Sequence, residues 1–431
     1  MKRVLAVCIA GLFPALTWSA DLLEVYREAL ANDAQFAAAR ADFEAGQEFV
    51  VQGRAGLLPN VGASASVARN HVDPRGLPSR DFNSDSWGVQ LTQPLFRMQN
   101  RIAARQGALR TEFSEVQFEL ARQDLILRAS DAYFNVLNAQ DQLAAVTQLR
   151  EAAAEQLEIA KTSFDVGTVT ITDVHEAQSR FDLAVAQVIA AQNELDVQRH
   201  ALARIIGREP EPLAGLRPEV ELMAPRPDNL DDWVSAAELG GYGVQLQHIV
   251  REIAEREVAR SRAGHYPTVD LVATHGQSNQ QTSTLTPRTA STTLGLQLNV
   301  PLYAGGAISS RERETAALKV KADSDLENAR REAALAARQA YLGVTSGMAR
   351  IMALEAAEVS SLSALEASRL GYEVGVRINI DVLNAQSQLA ETRQELARAR
   401  YDTVLAQLRL KASAGTLDEQ DLEIVNALLQ R

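Results

Sequence analysis

Two stretches of the hydrophobic pattern are too long for a globular domain. Residues 99–165 and 307–373 each run about 67 positions without a proline, and at 1.5 Å per residue each predicts a helix of roughly 100 Å. Both end in a break, "FDVGTVTITDV" at 164–174 and "YEVGVRINIDV" at 372–382. There a glycine and a β-branched run interrupt Ala-rich sequence, and an aspartate opens about 35 more helical residues. In these later helices Val174, Phe181, Val188, Leu195 and Leu202 recur every seven, with Ala177, Ala184 and Ala191 three residues behind the first three. Val382, Leu389, Leu396 and Leu410, with Ala385, Ala399 and Ala406, repeat the arrangement. Large residues alternating with alanine let helices approach closely, and a seven-residue period specifies left-handed coiling. Phe113, Leu120, Leu127 and Phe134 predict a seam of their own on the first long helix.

Ahead of each long helix the period falls to two. In "PNVGASASVARN" Val61, Ala63, Ala65 and Val67 alternate with Gly62, Ser64, Ser66 and Ala68; in "STTLGLQLNV" Leu294, Leu296, Leu298 and Val300 alternate with Gly295, Gln297 and Asn299. One greasy face and one small polar face suit a barrel wall between lipid and a wet lumen. Phe82, Trp87, Phe96, Tyr266 and Tyr303, near strand ends, are candidates for interfacial girdles. The polar loops "VDPRGLPSRDFN" and "GQSNQQTSTLTPRTAS" are expected outside the cell.

Sliding the chain along itself by 208 positions brings Gly56 onto Gly264, Pro59 onto Pro267, Tyr133 onto Tyr341, Asp173 onto Asp381 and Gly207 onto Gly415. The chain is an internal duplication. The first copy covers residues 21–207 and the second 229–431, and a Pro-rich connector, 208–228, is expected between them as a semi-rigid surface segment. Each copy predicts a helix of roughly 30 residues, two strands, a long helix, a break and another helix. Gly56 and Pro59, or Gly264 and Pro267, stop the first helix, and Pro94 and Pro301 stand where strand gives way to long helix.

Composition and charge narrow the class. Of 431 residues 46% are hydrophobic but only 5% aromatic, so bulky core formers are scarce and closely packed thin helices fit better than a thick core. Residues 1–20, "MKRVLAVCIAGLFPALTWSA", read as a cleaved secretory signal with the mature chain starting near Asp21. The single cysteine, Cys8, leaves with it, so no disulfide forms. Acidic residues number 55 against 43 basic ones, a net charge of −12, which disfavours nucleic acid as a partner. After the signal no apolar run is long enough for a transmembrane helix, so a membrane role has to come from strands.

Two copies of two strands give four per chain. A closed transmembrane barrel needs about eight or more, and an open sheet edge cannot sit in lipid. The barrel must therefore be shared between chains, with eight strands from two or twelve from three. The six histidines show no metal spacing, and neither a catalytic motif nor a nucleotide fingerprint occurs; an enzyme, a metal and a cofactor are not expected. The competing reading is a trimeric coiled-coil adhesin with a shared barrel anchor. Such proteins gather their strands at the C-terminus, whereas here the strand pairs lie inside each repeat and the chain ends in helix-like "LEIVNALLQR".

The stretch "YEVGVRINIDVLNAQSQLAETRQELARARYDTVLAQLRLKASAGTLDEQDL" (372–422) resembles the C-terminal half of the TolC family of outer-membrane channels, and "FDVGTVTITDVHEAQSRFD" resembles its first-half counterpart. The likeness runs through the whole mature chain in order. It implies an α+β membrane protein: a homotrimer with a twelve-stranded β-barrel in the outer membrane, continued into the periplasm by a coiled-coil α-helical tunnel. It further implies a passive, gated exit duct for efflux or type I secretion, opened through a periplasmic adaptor and an inner-membrane transporter. By that resemblance the gate pairs Tyr372 and Arg377 with Thr172 and Asp173. Asp381 keeps one constriction aspartate, and Asn384 stands where a second is usual. Taken by themselves, Asp173 and Asp381 are also suited to capping helix N-termini.

Overall fold

A computed structural model describes residues 19–430 other than 218–219, 221 and 281–287. Its elements run α1 (Leu22–Asn32), α2 (Ala34–Ala55), β1 (Asn60–Val72), β2 (Arg80–Phe96), α3 (Met98–Asp165) and α4 (Ile171–Ile206). The same order follows in α5 (Leu230–Gly240), α6 (Tyr242–Arg262), β3 (Thr268–Gln280), β4 (Arg288–Asn299), α7 (Ala307–Glu373) and α8 (Asn379–Ser413), with α9 (Glu419–Asn426) appended. α3 and α7 have 68 and 67 residues, as the proline-free runs predict.

The opening helix of each copy is two helices rather than one. Asp33 ends α1 and caps α2, its Oδ1 accepting from the Phe36 amide at 2.7 Å. Arg128 of α3 donates to both oxygens of that carboxylate, at 3.0 and 3.1 Å. Burial pushes the Asp33 carboxyl upward, but the Arg128 and Phe36 hydrogen bonds outweigh it and hold the group below the usual carboxylate range. Gly241 makes the corresponding break between α5 and α6.

The four strands form one antiparallel sheet in the order β1-β2-β3-β4. Register puts Val61, Leu91, Ala273 and Leu294 in one row and Ala65, Trp87, Gln277 and Ala290 in another of the same face. The opposite face carries Ser64, Gly88, Gly276 and Ser291. The greasy face is thus apolar across all four strands in the Val61 row, while in the Ala65 row β3 places Gln277, and His275 beside it, on that face. Phe82, paired with Asn70, lies on the polar face, so it departs from the girdle expected of it. Trp87 lies on the greasy face with its ring 5.7 Å from that of His275.

Below the sheet α3 packs on α4 and on α8, and α8 packs on α7, giving a helical layer in the order α4-α3-α8-α7. Ala177, Ala184, Ala191, Leu195 and Leu202 of α4 are buried, as are Val382, Leu389, Leu396 and Leu410 of α8. The expected α3 seam holds only in part: Phe134 is buried but Leu120 is 37% exposed. The aromatic packing falls instead to Phe118, stacked on Phe36 and Phe43 at 5.5 and 5.0 Å. A strict seven-residue spacing drifts round a straight 3.6-residue helix, and α3 meets α2, α4, α6 and α8 along its length.

The main core lies partway down the helices. Tyr133, Phe134 and Tyr401 are buried there with residues of α1, α4, α9 and the connector. Far from being only a surface strap, the connector buries Leu213 and Ala214. The Tyr133 hydroxyl donates to the Ala214 carbonyl at 2.6 Å and the Ala20 carbonyl at 3.2 Å. Residues 1–18 of the expected leader lie outside the described residues. Ala20, however, belongs to the fold: its amide donates to Pro212 O at 2.8 Å and its carbonyl accepts from the Ala214 amide at 3.0 Å. Cleavage after Ala20 would remove both bonds, whereas a cut a residue or two earlier keeps them.

Candidate functional site

Two helical turns at the far end of the layer carry the residues singled out in the breaks. Gly167 and Gly375, at φ +79° and +80°, supply left-handed conformations that other residues rarely adopt. Beyond Gly167, Thr170 is the N-cap of α4 and Asp173 its third residue. The Asp173 carboxylate accepts from the Thr170 amide at 2.8 Å and the Thr170 hydroxyl at 2.9 Å, and that hydroxyl accepts from the Asp173 amide at 3.4 Å. Asp173 therefore completes a capping box rather than capping the helix itself.

The second turn has only half of this device. Ile378 stands at the N-cap of α8 with no side-chain oxygen, and its amide donates to Asp381 Oδ2 at 3.4 Å. Arg377 Nη1 lies 3.6 Å from the same oxygen. With Arg377 exposed and Asp381 half-buried, this 3.6 Å pair is a weak, water-screened contact, worth about 0.2–1 kcal/mol. Asn384 follows one helical turn later, exposed and on the same side of α8 as Asp381.

The fold brings the two turns together. Asp173 and Glu176 from the first, and Tyr372, Arg377, Asn379 and Leu383 from the second, surround a hollow of about 240 Å³. Thr172 is exposed and stands outside its lining. Tyr372 packs beside Leu365, Val382 and Leu389. Among the described residues of one chain, no hydrogen bond or ion pair links Tyr372 or Arg377 to Thr172 or Asp173. A link that sequence reasoning missed is Asn379, whose Nδ2 donates to the Gln156 carbonyl at 3.2 Å and fastens the start of α8 to α3. Nothing in the local pattern marks it, because its partner lies 223 residues away.

At the opposite end of the long helices the junction residues form a collar. Gly56 caps α2 and its carbonyl accepts from the Asn100 side chain; Pro59 stands just before β1. Gly264 lies in a short 3-10 turn, where an added Cβ would come 3.1 Å from Ile308 Cγ2, and Pro267 precedes β3. Pro94 marks a register shift in β2, consistent with a residue that has no amide to give the ladder. Pro301 follows β4. The strongest contact here is another that sequence reasoning missed: Arg97, just after β2, donates from Nε to Asp270 Oδ1 at 2.7 Å and from Nη2 to Oδ2 at 2.5 Å.

No group of three or more His, Cys, Asp or Glu that could hold a metal occurs among the described residues, and no described helix is long and apolar enough to cross a membrane.

Comparison with known proteins gives a consistent result. The family described as outer membrane efflux protein matches residues 25–208 and 244–416. Outer membrane protein TolC of Escherichia coli K12 is 32% identical over 448 residues, covering 100% of this chain and 90% of the relative. Alkaline protease secretion protein AprF of Pseudomonas aeruginosa is 34% identical over 418 residues, covering 94% and 86%. Among solved structures, the CmeC outer membrane channel of Campylobacter jejuni superposes with a TM-score of 0.81 at 19% identity, covering 95% of this chain and 90% of that one. VceC of Vibrio cholerae superposes at 0.78 with 20% identity, covering 91% and 96%. These two likenesses concern the fold.

Proposed function

The chain belongs to the outer membrane efflux protein family, and on that premise we propose how its parts work as an exit duct for efflux or type I secretion. It resides in the outer membrane, and three copies make one duct. The observation that carries this reading is that both layers of a single chain are open at both edges. The sheet ends at β1 and β4 without closing, and an unpaired edge in lipid costs several kcal/mol per exposed backbone group. The helical layer ends at α4 and α7, which expose Leu183, Ile189 and Val197 on one and Leu342, Met352 and Val359 on the other. Joining β4 to β1 and α7 to α4 of successive copies satisfies both at once, and three copies give a twelve-stranded barrel.

In this duct the turns at the far end of the helices are the periplasmic gate. Arg377 and Tyr372 face Asp173 across the hollow, Thr172 stands exposed beside it for a neighbouring copy to meet, and Asp381 and Asn384 point to the axis as the constriction. Each wet contact is weak, so three symmetric sets bias the closed state by only a few kcal/mol. A periplasmic adaptor, bound with an inner-membrane transporter, that prefers the open form overcomes such a bias. The adhesin alternative has no support, since the strand pairs sit between helices in each copy. The deciding experiment is native mass measurement combined with bilayer recording of the purified protein. A conducting trimer is expected; a water-soluble monomer that never conducts would overturn the reading.

A further inference from the structure

Just below the sheet the start of α3 carries positive charge without partners. Residues 97–111 hold Arg97, Arg101, Arg105 and Arg110 and no acid, in a chain whose net charge is −12. Arg97 is taken up by Asp270. Arg101 and Arg105 are exposed, and among the described residues neither forms a hydrogen bond or an ion pair.

Their direction follows from three contacts. At this level the chain itself fills both flanks of α3: Gly107 lies against Gly53 of α2, and Gln106 donates to Glu257 of α6 at 3.0 Å. A helix so flanked has only an inward and an outward side left. The Arg101 guanidinium lies 5.7 Å from the centre of the Phe96 ring. Phe96 pairs with Val269, which pairs with Leu298, and steps of two from Val269 through Leu271 to Ala273 stay on the greasy face. Arg101 therefore stands on the lipid side, and Arg105, four residues on, shares that side of the helix.

Their depth matches the headgroup layer. α3 begins at Met98, so Arg101 and Arg105 lie about 5 and 11 Å along its axis, against a headgroup region about 5–8 Å deep on each side of the hydrocarbon. Helical side chains lean toward the N-terminus, which in α3 is the membrane end, and so both guanidiniums reach back toward the bilayer. The second copy repeats the device. Tyr303 ends "VPLY" as Phe96 ends "QPLF", and the exposed Arg313 stands 208 positions after Arg105.

Guanidinium forks suit phosphate oxygens. In a zwitterionic headgroup the lipid's own ammonium competes for them, whereas an anionic phospholipid presents its phosphate uncontested. We propose that the outer side of the collar binds the phosphates of anionic phospholipid through Arg101 and Arg105, with Arg313 as their counterpart, and so fixes how deep the barrel sits. The inference goes beyond the duct reading but rests on its barrel.

The test titrates the full trimer in neutral detergent with phosphatidylglycerol, and separately with phosphatidylethanolamine of the same chains, and counts retained lipid by native mass measurement. At about fivefold per arginine, the wild type should hold phosphatidylglycerol at least about tenfold more tightly. Arg101→Gln/Arg105→Gln should lose most of that preference, and Arg101→Lys/Arg105→Lys, which keeps the charge, should retain most of it. If the double variant does not assemble, Arg105→Gln alone, which breaks no contact within the chain, should weaken retention about threefold to fivefold. Glycerol 3-phosphate should not displace the lipid, whose chains lie against Phe96 and Leu298. Equal retention of the two lipids by the wild type overturns the site, as does an unchanged preference in the Gln variant or displacement by equimolar glycerol 3-phosphate. Bilayer recording of the same preparations separates the readings: a conducting trimer without lipid preference sinks the collar site alone, and a wild type that forms no trimer removes the barrel and the site together.

Discussion

The hydroxyl of Tyr401 on α8 lies 2.5 Å from Oδ2 of Asp141 on α3, joining the two copies across 260 residues of sequence. Burial raises the Asp141 carboxyl above the ordinary value, and the Tyr401 hydrogen bond only partly offsets this. An acid whose native pKa is raised is penalised once the unfolded chain ionises. The penalty is absent below the unfolded value near 3.8 and complete above the native one. Asp141→Asn, which keeps an acceptor for Tyr401, should therefore match or exceed the wild-type melting temperature at neutral pH and lose its advantage as pH falls below about 4. Tyr401→Phe leaves the carboxylate without its donor and should cost about 1–3 kcal/mol. Thermal unfolding of the detergent-solubilised protein across this range reads both, and an Asp141→Asn variant that is less stable at every pH would contradict the assignment.

Arg97 and Asp270 predict a different failure. Asp270 is 5% exposed, and removing its partner strands a carboxylate at the base of the sheet. Arg97 is itself 40% exposed, so Arg97→Ala should cost about 1–3 kcal/mol, the penalty of leaving the buried Asp270 carboxylate without its donor. Arg97→Ala combined with Asp270→Asn should recover part of that loss. A heat-stability series on folded protein resolved by gel mobility checks it, and a double variant no better than the single one would count against the explanation.

At the proposed gate, Arg377→Ser with Tyr372→Phe should raise the conductance of the resting channel. Neither change touches the Thr170–Asp173 capping box, so α4 should start as before and helix content should stay constant by circular dichroism. If conductance does not change, Tyr372 and Arg377 have no part in closure.

Asn384 predicts weak block by multivalent cations. In the proposed trimer three Asp381 carboxylates would attract them, whereas three neutral Asn384 side chains one turn on would add no charge. Asn384→Asp adds three negative charges one helical turn away and should strengthen block by a trivalent cation at least about tenfold. Titrating single-channel current from the periplasmic side measures this, and equal block in both channels would show that residue 384 is off the axis.

Gly107 tests the close approach of α2 and α3. A Cβ there would lie 2.5 Å from the carbonyl oxygen of Phe49 and 3.2 Å from the Cα of Gly53. Backbone does not yield as a side-chain tip does, so Gly107→Ala should destabilise by about 1–3 kcal/mol through overpacking. Gly295→Ala, with open space about it, serves as the neutral control.

How far these features were legible depends on their range in sequence. Proline-free length and the seven-residue spacing exposed α3, α4, α7 and α8, because helical period is a local property that Ala177, Ala184 and Ala191 state directly. Alternation revealed the strands for the same reason, and the two glycines that open the gate turns are visible as interruptions. Asp33 was not legible as a helix break, because its capping amide is three residues away but its stabilising Arg128 is 95 residues away. Arg97 looked like any residue leading into a helix until β3 arrived with Asp270. Leu120 shows the reverse error: a residue in perfect spacing that the neighbours of α3 leave in the open. At the gate, spacing placed Asp173 and Asp381 at helix starts. Only the folded chain shows that one completes a full box and the other half of one.

The clasp around Tyr133 has a temporal consequence. It unites Ala20, Leu213–Leu216 and the segment near Leu429, where Leu216 pairs antiparallel with Leu429 and the Gly215 carbonyl accepts from the Gln430 amide at 2.8 Å. Synthesis proceeds in one direction, so this buckle closes only after all four strands and the long helices have been made. A product cut short after Leu417 would own all its walls yet lack the fastening. The helices at this level are thereby fastened by a segment that follows them all in the sequence, and copies cut before it would present slack ends to surveillance proteases.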